Sequence, residues 1–179
     1  MIKSKTIILG VTASIAIYKA CDILRRLKKD GYSVTVVMTP EAEKLMSRLV
    51  FQSLSGSKVY CGMFETTENW DIEHVALAEK ADLVLVAPAT ANIIGKITAG
   101  ICDDLLSCLI CATAAPVVIC PAMNEGMYKN RFVQENIRKL RQAGYKFIEP
   151  RKGELACGKF GIGCLAEVED IVKTVRKIA

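Results

Sequence analysis

The chain has 179 residues, 51% of them hydrophobic and 24% charged, with a net charge of +5. That is the length of one domain with an ordinary globular balance. No apolar run approaches the roughly 18–20 residues of a membrane span, no signal-peptide pattern opens the chain, and no nucleic-acid motif accompanies the mild basic excess. The expectation is a cytoplasmic protein that binds neither membrane nor nucleic acid.

Thr6–Gly10 reads as a first strand. A helix from Ser14 to about Lys29 follows, with Ile17, Ala20, Cys21, Leu24 and Leu27 at three- and four-residue spacing. Gly31 ends it, Ser33–Met38 reads as a second strand, and Thr39 caps a helix with Pro40 at its first position. From Val50 to Asp71 the pattern loosens, with a short strand expected around Lys58–Tyr60. Asp82–Ala87 is a strand apolar enough to be buried on both faces. Helices near Asn92–Ala99 and Asp103–Ala114, a strand Pro116–Cys120, a helix from about Glu125 to Ala143, a last strand Tyr145–Ile148 and a closing helix Val168–Ala179 complete the reading. Between the last two lies Gly153–Glu167, with four glycines within eleven residues. That is too many for a helix or a central strand, so it reads as a loop able to fold over a ligand.

Strands separated by helices imply right-handed crossovers and a parallel sheet covered on both sides. The predicted fold is α/β: one three-layer αβα domain over residues 1–179 with a doubly wound, Rossmann-like or flavodoxin-like sheet. Eight cysteines are present, and Cys21, Cys102, Cys108, Cys111 and Cys120 stand among apolar neighbours, where a free thiol behaves as a small hydrophobe. Cys108-Leu109-Ile110-Cys111 lacks a second C-x-x-C and the turn residues of a zinc knuckle, so no metal is expected.

In such folds ligands bind outside the carboxyl ends of the strands. Gly10-Val11-Thr12-Ala13-Ser14 joins the first strand to its helix and offers hydroxyls and free N–H groups suited to a phosphate; an ordinary N-cap turn explains it equally well. Ala87-Pro88-Ala89-Thr90-Ala91-Asn92 lets a flat ligand approach the backbone. Pro121-Ala122-Met123-Asn124 follows the next strand, with an amide able to grip a carboxylate; capping is the competing reading for Asn92 and Asn124. His74 is the one histidine and the one side chain whose ordinary pKa lies near neutrality. Cys157, in the glycine-rich segment, is a candidate for chemistry. No serine sits in a G-x-S-x-G elbow, which disfavours Ser-His-Asp hydrolysis.

Taken in order, Gly10–Ser14, His74, Ala87–Asn92 running on through Gly95-Lys96 and Gly100–Leu106, Pro121–Asn124 and Leu155-Ala156-Cys157-Gly158 resemble the homo-oligomeric flavin-containing cysteine decarboxylases over nearly the whole chain. The resemblance implies FMN at the strand ends, between subunits. Gly10, Val11, Thr12 and Ser14 would hold its phosphate end with Thr39 nearby, and Ala89, Thr90, Ala91 and Asn92 would line its ring. It further implies decarboxylation of 4′-phospho-N-pantothenoylcysteine to 4′-phosphopantetheine in coenzyme A biosynthesis, through a thioaldehyde and an enethiol that the flavin reduces. His74 would act as base on the thiol, Asn124 would hold the carboxylate with backbone groups near Met123, and Cys157 would return a proton. The clamp over about 151–167 would touch substrate through Ala156 and Leu165.

Relatives often read Pro-Ala-Met-Asn-x-x-Met-Trp where this chain has Met127-Tyr128, and Gly-Arg-Met-Ala-Glu where it has Gly163-Cys164-Leu165-Ala166-Glu167. The second departure bears on recognition of an anionic phosphate. The resemblance also implies a trimer or dodecamer, and a separate phosphopantothenoylcysteine synthetase as the source of substrate. Relatives that decarboxylate peptidyl cysteine, transfer prenyl groups to flavin, reduce pterins or regulate a phosphatase without catalysis are the alternatives. His74, Asn124 and Cys157 together argue against prenyl transfer and reduction, and the lack of a long acidic extension argues against the regulatory role.

Overall fold

The computed structural model describes residues 4–63 and 73–179. Among them, β1 (Thr6–Val11), β2 (Ser33–Met38), β3 (Val59–Tyr60), β4 (Leu83–Ala89), β5 (Val117–Pro121) and β6 (Lys146–Phe147) form one parallel sheet in the order β3-β2-β1-β4-β5-β6. This is the doubly wound, Rossmann-type order, and its direction reverses between β1 and β4. The crevice outside the carboxyl ends of those two strands is therefore the natural ligand position.

Alternation along the strands divides the interior in two. Ile7, Leu9 and Val11 of β1 and Leu83, Leu85 and Ala87 of β4 face one side. They pack there with α1 (Tyr18–Lys29), α3 (Arg48–Ser55) and α9 (Val168–Ile178), through Ile23, Leu24, Phe51, Ile171 and Val172. Ile8, Val84, Val86, Val117 and Ile119 face the other side. There they meet α4 (Glu73–Lys80), α5 (Ala91–Ala99), α6 (Leu105–Ala112) and α8 (Arg131–Gln142) through Leu77, Ile93, Leu106 and Ile137. Each such Leu or Ile, fully buried, contributes about 1.5–3 kcal/mol over leaving it exposed.

Ties at the carboxyl edge fix the loops. The Thr39 N–H donates to the Val11 carbonyl at 3.0 Å, and the Ala122 N–H to the Ala89 carbonyl at 2.9 Å. Lys96 of α5 reaches Asp103 Oδ1 and Asp104 Oδ2, each at 2.7 Å, and Asp104 caps α6 through a reciprocal bond with Ser107. Burial alone would lower the Lys96 pKa, but the two carboxylates outweigh it and hold the ammonium above its ordinary value.

The structure departs from the sequence reading in several places, among them α4, which no expected element covered. A helix, α3, occupies Arg48–Ser55 and runs into the loosened region, capped by Ser47 and ended by Gly56 at φ +66°; residues 64–71 of that region lie outside the described residues. The helix expected over Glu125–Ala143 is two, α7 (Glu125–Lys129) and α8, because Asn130 closes the first and caps the second with its side chain. Cys102 and Cys111 are exposed rather than packed inside. The glycine-rich segment is not a loop, and Tyr145–Ile148 is not the last strand. Arg151–Glu154 (β7) and Phe160–Cys164 (β8) pair antiparallel as a separate two-stranded sheet. A central strand packed on both faces disfavours glycine, but this ribbon uses it. A Cβ on Gly161 would stand 2.7 Å from the Glu125 carboxylate, and one on Gly163, at φ +141°, only 2.1 Å from the Met123 carbonyl oxygen.

Candidate active site

A cavity of about 710 Å³ opens at the carboxyl edge between the β1–α1 turn, the β5–α7 loop and the hairpin. Ligand sites commonly span about 300–1,000 Å³. Of the residues singled out from sequence, Ser14, Thr90, Met123, Asn124, Ala156, Cys157 and Leu165 line it.

Most of the polar candidates are helix caps, because the helices that follow the strands all start at this edge. Ser14 accepts from the Ala16 N–H at 3.4 Å and Thr39 from Ala42 at 3.2 Å. Thr90 accepts from Ile93 at 3.4 Å and Asn124 from Gly126 at 2.8 Å. Capping and ligand binding thus coexist: a cap fixes the side chain and leaves neighbouring N–H groups pointing outward. Thr12 is different. It is buried, its hydroxyl donates to the Pro88 carbonyl at 2.8 Å, and its oxygen accepts from the Thr90 N–H at 3.1 Å. Its side chain joins the β1 and β4 loops to each other. Gly10 and Val11 are buried strand residues outside the cavity lining, and a Cβ on Gly10 would press 2.7 Å from Leu106 Cδ1. Thr39, Ala89, Ala91 and Asn92 lie at the same edge but do not line this cavity.

The β5–α7 loop and the hairpin tip bring two of the candidate residues together. Asn124 Oδ1 is taken by its cap, which turns Nδ2 toward Cys157 Sγ at 3.8 Å. The tip carrying Cys157 is closed by Leu155 N–H to the Lys159 carbonyl at 2.9 Å and Gly158 N–H to the Leu155 carbonyl at 2.8 Å. The return strand is fastened to the Asn124 loop. The Met123 N–H donates to the Gly163 carbonyl at 3.0 Å, and the Ile162 N–H to Glu125 Oε1 at 3.3 Å. Lys129 and that Ile162 N–H hold the Glu125 carboxyl below its ordinary pKa. The Met123 N–H is therefore committed, and any part Met123 takes in binding falls to its other atoms.

His74 stands apart. It is the second residue of α4, half-buried, and is not among the described residues lining the cavity. Cys157 and Cys164 are the two thiols in the lining. Elsewhere desolvation raises the pKa of Cys21 and Cys108, and with Cys102 beside it pushes the Cys111 thiol up to about 11. These thiols stay protonated, and Cys21 and Cys108 are partly packed while Cys111 is exposed.

Sequence reading missed Lys19, Arg151 and Glu154 in the lining. Lys19 follows Ser14 by just over one helical turn, a spacing that could have drawn attention to it. Arg151 reaches the site only because the hairpin sets it opposite Cys164. The cavity fits a flavin mononucleotide in volume and in donor set: Ser14 beside Ala13 and Ile15 at the start of a helix suits a phosphate, and Ala16, Thr90 and Ala122 make small-residue walls for a flat ring.

A family model described as Flavoprotein matches residues 1–179. The coenzyme A biosynthesis bifunctional protein CoaBC of Bacillus subtilis (strain 168) is 46% identical over 177 residues, covering 99% of this chain and 44% of that protein. The chain thus spans less than half the length of the bifunctional relatives it matches. A probable phosphopantothenoylcysteine decarboxylase of Streptococcus mutans serotype c is 39% identical over 176 residues, 97% of this chain and 98% of that one. Among solved structures, a mutant PPC decarboxylase complexed with pantothenoylaminoethenethiol superposes with a TM-score of 0.86 at 28% identity, covering 98% of both chains. The FMN-dependent cysteine decarboxylase SpaF gives 0.84 at 27% identity, again over 98% of both.

Proposed function

The chain belongs to the flavoprotein family over its whole length, and from that premise we propose that it is an FMN-dependent decarboxylase of 4′-phospho-N-pantothenoylcysteine acting in coenzyme A biosynthesis. The observation that carries the reading is Asn124 Nδ2 held 3.8 Å from Cys157 Sγ at the mouth of a cavity shared with Ser14 and Thr90. Relatives named for this decarboxylation, or for coenzyme A biosynthesis, support it at 39% and 46% identity.

Bound FMN would supply reversible two-electron chemistry at the cysteinyl carbon. Ser14 at the Ala13–Ile15 helix start would hold its phosphate, and Ala16, Thr90 and Ala122 would wall its ring, with Ala89, Ala91 and Asn92 at the same strand edge but off this cavity. His74 takes the thiol proton of the substrate, which prepares oxidation to a thioaldehyde. Asn124 donates its amide to the substrate carboxylate and orients it for loss as carbon dioxide. Cys157, within reach of the same group, gives a proton as the enethiol is reduced. Ala156 and Leu165 contact the substrate from the clamp.

His74 lies off the cavity of its own chain, so it serves a site completed by a second copy. The exposed Ile15 (63%), Tyr18 (58%) and Leu49 (67%) supply apolar surface for that assembly, a trimer or a multiple of trimers. The working form is a cytoplasmic homo-oligomer supplied with substrate by a synthetase.

The test is to purify the protein, assay released flavin, and measure carbon dioxide from phosphopantothenoylcysteine beside a peptide ending in cysteine. Yellow protein active on the first supports the reading; protein that cannot bind FMN, or that acts on the peptide alone, overturns it. Cys157→Ser is expected to release carbon dioxide and accumulate the oxidised enethiol, whereas His74→Asn releases none. Equal loss of both half-reactions in the Cys157 variant would contradict its role as acid.

A further inference from the structure

We infer that Arg151 is the specificity residue of the cavity, binding an anionic group carried by the substrate at the end remote from its cysteine. The inference rests on the decarboxylase reading and names what that site selects.

Arg151 opens β7 in register with Cys164 of β8, at the end of the hairpin opposite its Cys157 tip. Strand rise of about 3.3 Å per residue sets Arg151 roughly 10 Å along the strand from Glu154, where the tip begins. Both ends of the hairpin line the same cavity. Gly153 provides the floor between them: a Cβ there would come within 2.7 Å of Arg151 Nη1 and 3.2 Å of Cys164 Sγ. The guanidinium therefore lies across the hairpin beside Cys164, over a residue that has no side chain to displace it. Glu167 Oε1 forms an ion pair with it, 2.7 Å from Nε, and Nη1 donates to the Lys152 carbonyl at 3.3 Å. These two contacts hold the group in place, while Nη2 donates no hydrogen bond among the described residues.

A guanidinium on a cavity wall that keeps Nη2 free to donate is suited to an oxyanion. Its distance from Asn124 and Cys157 sets the shape of the ligand: elongated, with a cysteinyl end and an anionic end. A phosphate monoester on a flexible chain meets that description; a peptide whose only nearby anion is its terminal carboxylate does not.

The experiment titrates the FMN-loaded protein with 4′-phosphopantetheine and with pantetheine by calorimetry, for wild type, Arg151→Gln and Arg151→Lys, alongside carbon dioxide release from phosphopantothenoylcysteine and its dephosphorylated form. Wild type is expected to prefer the phosphorylated ligand by about tenfold or more, as loss of a charge-assisted contact implies. Arg151→Gln should remove the preference without changing pantetheine affinity, raising KM and sparing kcat, and Arg151→Lys should restore most of it. Equal binding of the two ligands by wild type, binding of neither, or equal weakening of both by Arg151→Gln overturns the inference. If the preference is present and Arg151-dependent but no carbon dioxide is released, the decarboxylase reading falls and Arg151 stands. If both substrates are decarboxylated with equal kcat/KM, the reading stands and Arg151 falls.

Discussion

Gly163 illustrates how much one missing side chain can hold in place. Its φ of +141° lies where side-chain-bearing residues are strained, and a Cβ there would sit 2.1 Å from a backbone oxygen that cannot move aside. Gly163→Ala must therefore push β8 off the Asn124 loop. We expect a loss of about 2 kcal/mol or more in a urea titration, together with loss of activity. Gly10→Ala makes a useful contrast. Its Cβ would meet the far end of Leu106 at 2.7 Å, and a leucine tip can turn, so its cost should be smaller and flavin binding should persist. Similar losses in the two variants would show that the Met123–Gly163 contact does not fasten the clamp. At this scale the sequence is readable by type and silent on partner. Ser14 and Asn124 could be picked out as cap-or-ligand residues, but Thr90 caps the helix for which Asn92 was the expected cap, and nothing local tells that the Thr12 hydroxyl would be spent on Pro88 and Thr90.

Among the elements, the hairpin and α7 act as one piece through Glu125. Lys129 and the Ile162 N–H favour its ionised form, so its folded pKa lies below the unfolded value. A depressed carboxyl contributes to docking above the ordinary carboxylate range and ceases to as pH falls through the folded value. Hydrogen exchange at the Ile162 amide should thus quicken, beyond its intrinsic pH dependence, as pH falls below the ordinary carboxylate range. Glu125→Gln should abolish that step, and a step persisting in the variant would assign it to another group. The hairpin is also where the sequence reading lost the architecture. Periodicity found β1, β2, β4 and β5 within a residue or two, because β1, β4 and β5 are buried on both faces and read as nearly continuous apolar runs, and β2 buries Val34, Val36, Val37 and Met38. β7 and β8 bury little beyond Gly153, Gly161 and Gly163, so they carry no alternating apolar signal and their glycines read as a loop. Arg151 was missed with them, since its place in the site comes from strand pairing. The helix α3 went unseen for a related reason: Leu49 and Val50 are exposed while Phe51 is buried, which blurs the apolar stripe.

For the whole molecule, flavin binding and assembly should appear as stability. A ligand bound to the folded state at one hundred times its Kd adds about 2.7 kcal/mol, and each kcal/mol moves Tm by about 2–4 °C in a domain of this size. Excess FMN should therefore raise the melting temperature of stripped protein by about 5–10 °C, measured by scanning calorimetry; no shift with FMN would remove the flavin from the reading. Light scattering of the same samples should report a trimer or a multiple of it, and a monomer would leave His74 without a cavity to serve.

The hairpin shares no strand pairing with the six-stranded sheet and joins it through a few bonds to residues 123–125. Mutations at its exposed positions, such as Lys152, Lys159 and Phe160, can therefore accumulate without disturbing the main ladder, provided Gly161 and Gly163 keep the hairpin fastened to the Asn124 loop. A lineage built this way can change what it accepts while keeping its redox centre, so the hairpin is the segment in which new substrates are most readily acquired.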